Sequence, residues 1–520
     1  MKPLALSMRF SSFSSFSLFR NPAVRTAASA VAAALLLQAC GTPSFTTPTL
    51  AAGVPSTWQQ PRDAASPPGT ALEAGWWRAF GDPVLDRLVD QALAHNTDLR
   101  TAAARVAEAQ ALADVQRAAV LPTLELGTSA QRSRSISAAS GKPYLSTVGQ
   151  PQFQAAYEVD LWGRLDALDQ AATAQLQASE TARDSAALSV AAATATAYIN
   201  LRALDARLDI ARQTLAARDS ALQLARSRQE RGYTSALETQ QSEAEFRATA
   251  AVVPQLGLAI RRQEHAIALL AGAAPGTVPR GLPLRELRLV PLPDLGLPST
   301  LLRRRPDIAS AEAQLAASDA QWAAARAQLL PSLRLSATLG SISSSALTGD
   351  PFTLWSIGGS LLAPLFEGGR LRAQVSASDA RREQALAGYE KTVLTAFGEV
   401  EDQLAAVDEL GRQRIEVDAQ TGALKETLRV ATNRYREGYA SHLDELDAQR
   451  NLFSAQQSAL QLRADELSAR VSLDRALGGG WQPEGTQRAA ANLSGPALSA
   501  SPASPVSTAI AIASRSKPSN

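Results

Sequence analysis

The residue with the clearest chemistry is the single cysteine of the chain. Cys40 stands directly after the apolar run 27–37, and the small residue Ala39 precedes it. Basic residues come before the run, an order typical of a bacterial secretory signal that ends in a lipobox. An inert buried thiol is the alternative, but the position of Cys40 at the end of the run favours lipidation. We therefore predict a signal peptide over residues 1–39 and a lipidated linker over residues 40–75.

Two acidic residues, Glu238 and Asp444, occupy matching positions in two similar sequence segments. Each closes a Ser-x-x-acid pattern, at 235–238 and at 441–444, which is the signature of a capping box at a helix N-terminus. This structural interpretation is sufficient for both acids taken alone. Asp447 lies one helical turn after Asp444, and a cap does not need it. A solvated helix face or a pair with Arg450 remains the structural alternative for Asp447.

The residues that most often carry catalysis are scattered or committed elsewhere. The three histidines, His95, His265 and His442, lack metal-ligand spacing. No P-loop or Rossmann glycine pattern occurs, and the glycines 478–480 are better interpreted as a helix stop. Lipidation of the only cysteine excludes a Cys–His nucleophile. We therefore predict that the chain has no catalytic residue, no metal site and no cofactor, and that it is not an enzyme.

Charge and composition restrict the class of partner. Four of the 51 basic residues and none of the 49 acidic residues lie in the signal, so the mature chain is nearly neutral. With few aromatic residues and no basic stripe, it is a poor candidate for binding nucleic acid. After the signal no segment reads as a transmembrane helix, so any crossing of a membrane would have to use β-strands.

An internal repeat organises the chain. Three groups of residues recur in the same order, the first two at an offset of 209 positions and the third at 206: Asn96-Thr97-Asp98 with Arg305-Pro306-Asp307, Leu121-Pro122 with Leu330-Pro331, and Gly232-Tyr233 with Gly438-Tyr439. The pattern predicts a first repeat over residues 76–274 and a second over 299–481. A connector rich in Pro and Leu covers 275–298, and residues 482–520 are predicted to be a disordered tail.

Each repeat combines long helices with two strands. Segments 164–231 and 370–437 lack proline and are each 68 residues long, far beyond a helix of a compact domain. Returning helices follow Gly232 and Gly438. Strands are predicted at about 124–133 and 152–161 in the first repeat, and at about 333–342 and 353–363 in the second. Each is close to the length of a tilted transmembrane strand.

Four strands are too few to close on themselves in a membrane. Open edges in lipid would leave backbone groups without hydrogen bonds, and the smallest common single-chain barrels have eight strands. The chain is therefore expected to contribute its strands to a barrel shared by several copies around one axis. The strand count alone leaves the number of copies open.

A set of motifs resembles one protein family. The motifs, in chain order, are Gly75-Trp76-Trp77-Arg78-Ala79-Phe80-Gly81-Asp82-Pro83, Arg304-Arg305-Pro306-Asp307-Ile308, Pro364-Leu365-Phe366-Glu367-Gly368-Gly369, Tyr435-Arg436-Glu437-Gly438-Tyr439 and Leu446-Asp447-Ala448-Gln449-Arg450. Together with the repeat they resemble the TolC-like outer-membrane efflux proteins, over residues 76 to 477. The lipobox is similar to that of the NodT branch of RND efflux lipoproteins, and Gly41 after the cysteine resembles a signal for outer-membrane sorting.

The resemblance implies a fold and a function. The fold is mainly α-helical: a long periplasmic coiled-coil barrel continues into a β-barrel shared by a homotrimer, with four strands from each chain. The function is the exit duct of a tripartite efflux pump, and the implied partners are a periplasmic adaptor, an inner-membrane RND pump and outer-membrane lipid. An outer-membrane factor for type I protein secretion with an ABC exporter is the first alternative. A structural coiled-coil lipoprotein of the periplasm is the second.

The resemblance also assigns roles near the two glycine turns. Asp444 and Asp447 correspond to acids that form carboxylate rings at the closed periplasmic mouth, and such rings favour cations. Tyr435 and Glu238 correspond to contacts that hold the mouth shut. Ala440 stands where some family members carry a basic residue, so closure here is expected to depend more on the tyrosine and on packing.

The turns themselves resemble the tips that meet the adaptor. Each tip consists of four consecutive residues. The first is Gly232, Tyr233, Thr234 and Ser235, and the second is Gly438, Tyr439, Ala440 and Ser441.

Overall fold

The computed structural model describes residues 53–59, 72–289, 291–293, 295–345 and 351–482. Cys40 and the predicted signal lie outside these residues, as does nearly all of the predicted tail. After a short 3-10 helix at Trp76–Phe80, the first repeat contains α1 (Pro83–His95), α2 (Thr97–Ala118), β1 (Thr123–Ile136), β2 (Pro143–Val159), α3 (Arg164–Glu230) and α4 (Ala236–Leu270). A second 3-10 helix, Leu284–Glu286, lies in the connector.

The second repeat has the same order of elements. It contains α5 (Pro298–Arg304), α6 (Pro306–Ala327), β3 (Ser332–Ser344), β4 (Phe352–Leu362), α7 (Arg370–Arg436) and α8 (His442–Ala476). Three pairs of helices have equal lengths in the two repeats, with 22 residues in α2 and α6, 67 in α3 and α7, and 35 in α4 and α8. The first helices differ, with 13 residues in α1 and 7 in α5. The predicted mainly α-helical fold with a repeated helix–strand–helix order is confirmed.

The contact between the start of the second helix and the end of the returning helix occurs in both repeats, but different residue types make it. The side-chain oxygen of Asn96 caps α2 by accepting hydrogen bonds from the backbone amides of Asp98 and Leu99. The side-chain NH₂ of Asn96 donates to the carbonyl of Leu270 at the end of α4. At the equivalent place the Arg305 guanidinium donates to the carbonyl of Ala476 at the end of α8. In both repeats, therefore, the residue before the second helix binds the C-terminus of the returning helix.

The strands form one antiparallel sheet in the order β1-β2-β3-β4 within the described residues. β1 and β2 are longer than predicted, because they pair without interruption from Thr123 opposite Ala156 to Ile136 opposite Pro143. Much of the segment between the two predicted strands is therefore strand rather than loop. β3 and β4 agree with the predicted strands to within two residues at each end. Many residues in the added parts of β1 and β2 are polar, so the pattern of alternating apolar residues did not predict these parts as strand.

Both outer strands of the sheet are open. Every residue of β4 is exposed, and so is nearly every residue of β1. Large apolar side chains on these strands are uncovered, among them Trp355 at 72% and Ile357 at 79% of full exposure. Within one chain, no helix or strand of the described residues covers these side chains.

The main core lies where α1, the middle of α3 and the connector meet. It includes Trp76, Trp77 and Phe80 of the first 3-10 helix. The Tyr198 hydroxyl donates to Asp82 over 2.7 Å and accepts from the amide of Gly281 over 2.9 Å. Burial and the hydrogen bond to Asp82 raise the pKa of Tyr198, which keeps this hydroxyl protonated. The network fastens the connector to the N-terminus of α1.

None of the helices in the described part of the chain combines the length and the apolar character that a bilayer crossing requires.

Candidate functional site

The two tips have the same backbone geometry. α3 and α7 end in turns in which Gly232 and Gly438 have φ of 75° and 78°. The amide of the following tyrosine bonds back to a helix carbonyl, Tyr233 to Arg228 over 2.9 Å and Tyr439 to Arg434 over 2.7 Å. A Cβ added at either glycine would meet nothing within 4 Å. The left-handed backbone alone therefore requires glycine at these turns.

The tip tyrosines project away from the chain. Tyr233 is 81% exposed and Tyr439 is 76% exposed, so both aromatic rings are available to a partner. Ser235 and Ser441 are exposed N-caps of the returning helices, while Thr234 and Ala440 are half-buried. The eight predicted tip residues thus form two similar short loops.

The two acids that look equivalent in sequence behave differently. The Asp444 carboxylate accepts from the amide of Ser441 over 3.0 Å, and the Ser441 hydroxyl accepts from the amide of Asp444, which completes a capping box. Ser235 accepts from the amide of Glu238 in the same way. The Glu238 carboxylate, however, accepts from the hydroxyl of Thr234 and from that of Tyr435.

The Tyr435–Glu238 hydrogen bond joins the two repeats. It spans 3.2 Å from the end of α7 to the start of α4. Burial of the phenol, reinforced by the charge of Glu238, raises the pKa of Tyr435. The Arg228 guanidinium lies 5.9 Å from the centre of the Tyr435 ring. Tyr435 and Glu238, predicted to act together, are therefore in contact within one chain.

Two further contacts between the repeats extend along α4. Glu238, Ser242 and Glu245 lie on one face of this helix because they are four and three residues apart. Ser242 Oγ lies 2.9 Å from Nε2 of His442, and Glu245 accepts from Arg450 over 2.6 Å. We call the three pairs, Tyr435–Glu238, His442–Ser242 and Arg450–Glu245, the inter-repeat seam.

A buried ion pair lies at the end of the seam nearest the middle of the helices. Arg218 of α3 is 6% exposed and lies 2.9 Å from the carboxylate of Glu245, which is 8% exposed. Glu245 therefore joins α3, α4 and α8. Ser242, Glu245 and Arg218 are not among the residues predicted from the sequence, although the polar residues at i, i+4 and i+7 of α4 were a signal for such a face.

Asp444 and Asp447 lie on the exposed surface of α8. The Asp447 carboxylate accepts from Arg450 over 3.0 Å, so the structural alternative considered for it is present. Its side chain is still 56% exposed. Neither acid contributes to the Tyr435–Glu238 contact. Among the described residues, no three His, Cys, Asp or Glu side chains come together as a metal site would need.

Comparisons with known proteins identify the family. The sequence model of the outer membrane efflux protein family matches residues 88–273 and 297–479, one segment in each repeat. The chain is 38% identical to the pyoverdine export outer membrane protein OpmQ of Pseudomonas aeruginosa, over 88% of this chain and 97% of that protein. It is 36% identical to the toluene efflux pump outer membrane protein TtgF of Pseudomonas putida, over 79% and 86% of the respective chains.

A solved structure supports the same conclusion. The outer-membrane channel OprN superposes with a TM-score of 0.79 at 32% identity, covering 85% of this chain and all of that one. The similarity therefore extends through the repeat, the strands and the tips. The chain belongs to the outer membrane efflux protein family.

Proposed function

We propose that this chain is one protomer of the exit duct of a tripartite efflux pump, and that it conducts small solutes passively across the outer membrane. The observation that carries the proposal is the combination of a sheet of four long strands, whose two outer strands are exposed, with two helices of 67 residues. A helix of that length extends about 100 Å, which is suited to a passage through the periplasm. One of the named relatives serves export of pyoverdine and the other belongs to a toluene efflux pump, so proteins of this family serve the export of different compounds.

The proposed duct is a homotrimer. The open edges of β1 and β4 need partners, and three chains with four strands each would close one barrel. Chemical cross-linking of the detergent-solubilised protein, followed by mass measurement under denaturing conditions, tests the number. The largest cross-linked species is expected to contain three chains, and a largest species of two or of four chains would contradict the proposed trimer.

The proposed anchor is a lipid on Cys40. It rests on the sequence alone, and two or more acyl chains would hold the N-terminus stably in the membrane. Growth with a labelled fatty acid should label the wild-type protein and leave Cys40→Ala unlabelled. Equal labelling of both proteins would disprove the lipobox.

The proposed gate consists of the carboxylates of Asp444 and Asp447 and of the Tyr435–Glu238 contact. Threefold symmetry would turn the two exposed acids into rings that attract cations. Asp444→Asn with Asp447→Asn removes the charge and retains the acceptor that caps α8. In planar bilayers this variant should lose block by multivalent cations. Glu409 is another exposed acid, on α7, and Glu409→Gln should retain the block. Unchanged block would exclude Asp444 and Asp447 from the mouth.

The proposed docking elements for the adaptor are the two tips. The exposed rings of Tyr233 and Tyr439 offer apolar contact area with a polar end, as partner-binding tyrosines commonly do. Tyr233→Ser with Tyr439→Ser should reduce recovery of the adaptor and of the inner-membrane RND pump when the tagged chain is purified from cross-linked cells. Ile415→Ser, an exposed residue on α7, is the control. Equal recovery would exclude the tip rings.

Deletion of the chain distinguishes the proposed function from its alternatives. Loss of an efflux duct should sensitise cells to several small compounds. Loss of a type I secretion factor should instead retain a protein substrate inside the cell, and loss of a periplasmic spacer should do neither. The exposed strands favour a channel over a spacer, because a spacer has no need for a sheet with apolar outer strands.

A further inference from the structure

His442 is a buried histidine that is not among the residues of the proposed gate. It is 7% exposed and is the first residue of α8, immediately after the second tip. A cavity of about 720 Å³ between α3, α7 and α8 is lined in part by His442 and Tyr435. The histidine therefore lies where the tip joins the inter-repeat seam.

The two ring nitrogens of His442 have different surroundings. Nε2 lies 2.9 Å from Oγ of Ser242 on α4, so one of these atoms donates to the other. Nδ1 is buried, and no described residue forms a hydrogen bond with it. The nearest acid, Glu445, places Oε2 at 3.9 Å from Nδ1, and its other oxygen accepts from the hydroxyl of Thr432 over 2.8 Å. A carboxylate is thus held close to the unpartnered nitrogen.

The imidazole also packs against the residue that makes the neighbouring contact. The ring centres of His442 and Tyr435 are 5.1 Å apart with a tilt of 40°. Tyr435 binds Glu238 and His442 binds Ser242, and these two partners are one helical turn apart on α4. Tyr435 and His442 of the second repeat therefore contact adjacent turns of α4 in the first repeat.

We infer that His442 is a positioning residue of the gate: it holds Tyr435 against Glu238, and protonation of its ring at Nδ1 tightens this hold. The inference rests on the proposed gating role of the Tyr435–Glu238 contact. Both nitrogens donate in the protonated ring. Nε2 can then donate to Ser242 in the present geometry, and Nδ1 gains a donor proton that faces the Glu445 carboxylate.

Charges from all the surrounding helices bear on this step. Glu445 on α8 and Glu238 on α4 favour a positive ring. Arg228 on α3 and Arg436 on α7, which line the same cavity, oppose it, as does Arg218 of α3. Among the charged groups with a contact to the ring, Glu445 is the nearest, at 3.9 Å from Nδ1, and its carboxylate is held in place by the hydroxyl of Thr432.

The sign of the pH effect follows from linkage. If the closed contact binds the proton more tightly than the opened one, lowering the pH stabilises closure and raising it favours opening. Histidine is the side chain whose charge ordinarily changes between pH 5 and 8. The opening frequency should therefore fall between pH 8 and pH 5.5.

The first experiment measures the histidine itself in the full-length assembly. Exchange of the ring C2 hydrogen for deuterium depends on protonation, and mass spectrometry separates the peptides of the three histidines. In Glu445→Gln the exchange of His442 should change at a lower pH than in the wild type. The exposed His265 on α4 should be unaffected. An identical His442 profile in both proteins would overturn the role of Glu445 and, with it, the inference.

The second experiment measures opening in planar bilayers. The opening frequency of the wild type at pH 8 should be at least roughly fivefold that at pH 5.5. This ratio lies in the lower part of the range found for coupling between two sites in a protein. His442→Gln should remove most of this dependence while still conducting, and Ser242→Ala should reduce it. His265→Gln should retain it in full. A dependence that survives in His442→Gln would overturn the inference.

The two experiments separate this inference from the proposed function. If the wild-type protein forms no conducting pore at any pH, the duct itself is disproved, and so is a gating role for His442. If it conducts but exchange shows no coupling between His442 and Glu445, the duct stands and the inference fails.

Discussion

Glu245 provides the most direct test of how the two repeats are held together. Its carboxylate is 2.9 Å from the buried Arg218 and 2.6 Å from Arg450. Burial lowers the pKa of Arg218, and the adjacent Glu245 opposes that change. Glu245→Gln therefore leaves a buried guanidinium without its counter-ion, which costs about 3–5 kcal/mol when one partner of a buried pair is removed.

The structure places the expected cost at the lower end of that range. Arg218 keeps two neutral acceptors after the substitution, the Glu245 carbonyl at 3.0 Å and the hydroxyl of Thr249. Arg450 is half exposed and keeps Asp447. We therefore expect a loss of about 3 kcal/mol in the local stability of α3, α4 and α8 around this pair. Since 1.4 kcal/mol corresponds to a factor of ten, amide hydrogen exchange there should accelerate on the order of 100-fold.

Hydrogen exchange with mass spectrometry on the assembled protein measures this effect segment by segment. Glu243→Gln is the matched control, since this acid is on the same helix but pairs with Arg226 and Arg247 at the surface. Its exchange should change only slightly, because exposed pairs contribute little. Arg218→Met with Glu245→Leu should recover most of the loss, because an apolar pair of similar volume leaves no buried charge unpaired. An effect of Glu245→Gln no larger than that of Glu243→Gln would refute the reasoning.

Three further substitutions test other parts of the molecule. Tyr198→Phe leaves the amide of Gly281 without its acceptor and should lower the stability of the core by about 1–3 kcal/mol, seen as faster exchange in α1 and the connector. Burial raises the pKa of Asp474 to about 6, so the folded state binds this proton more tightly than the unfolded one. Wild-type stability should therefore fall as the pH rises from about 4 to about 6, and Asp474→Asn should lack this fall. Ser441→Ala removes the side-chain cap of α8 and should destabilise its first turn by about 1 kcal/mol, while Ser220→Ala within α3 should not.

The repeat was predictable because it rests on local patterns. Asp82 and Pro83 start α1, and the chain reverses direction at Gly232 and Gly438. Each of these residues acts through its own backbone preference. The ends of β1 and β2 were not predictable in the same way. Their extension is set by pairing with each other over polar residues, and that pairing leaves no alternation of apolar residues in the sequence.

The difference between Glu238 and Asp444 shows where sequence patterns fail. Both close the same Ser-x-x-acid motif, yet only Asp444 completes the capping box. Glu238 instead accepts from Thr234, four residues earlier, and from Tyr435, which is 197 positions later in the chain. The Ser-x-x-acid motif carries no information about the distant partner. The resemblance to known channels paired these two residues, but their geometry required the structure.

The open outer strands also bear on how the protein is made. Each solitary chain has two rows of backbone donors and acceptors, along β1 and β4, that hydrocarbon cannot satisfy. In the homotrimer proposed above, entry of this sheet into lipid would be coupled to subunit encounter, and its rate should rise more steeply than linearly with the amount of newly exported chain. The supply of folded pores would then be controlled by export flux as well as by transcription.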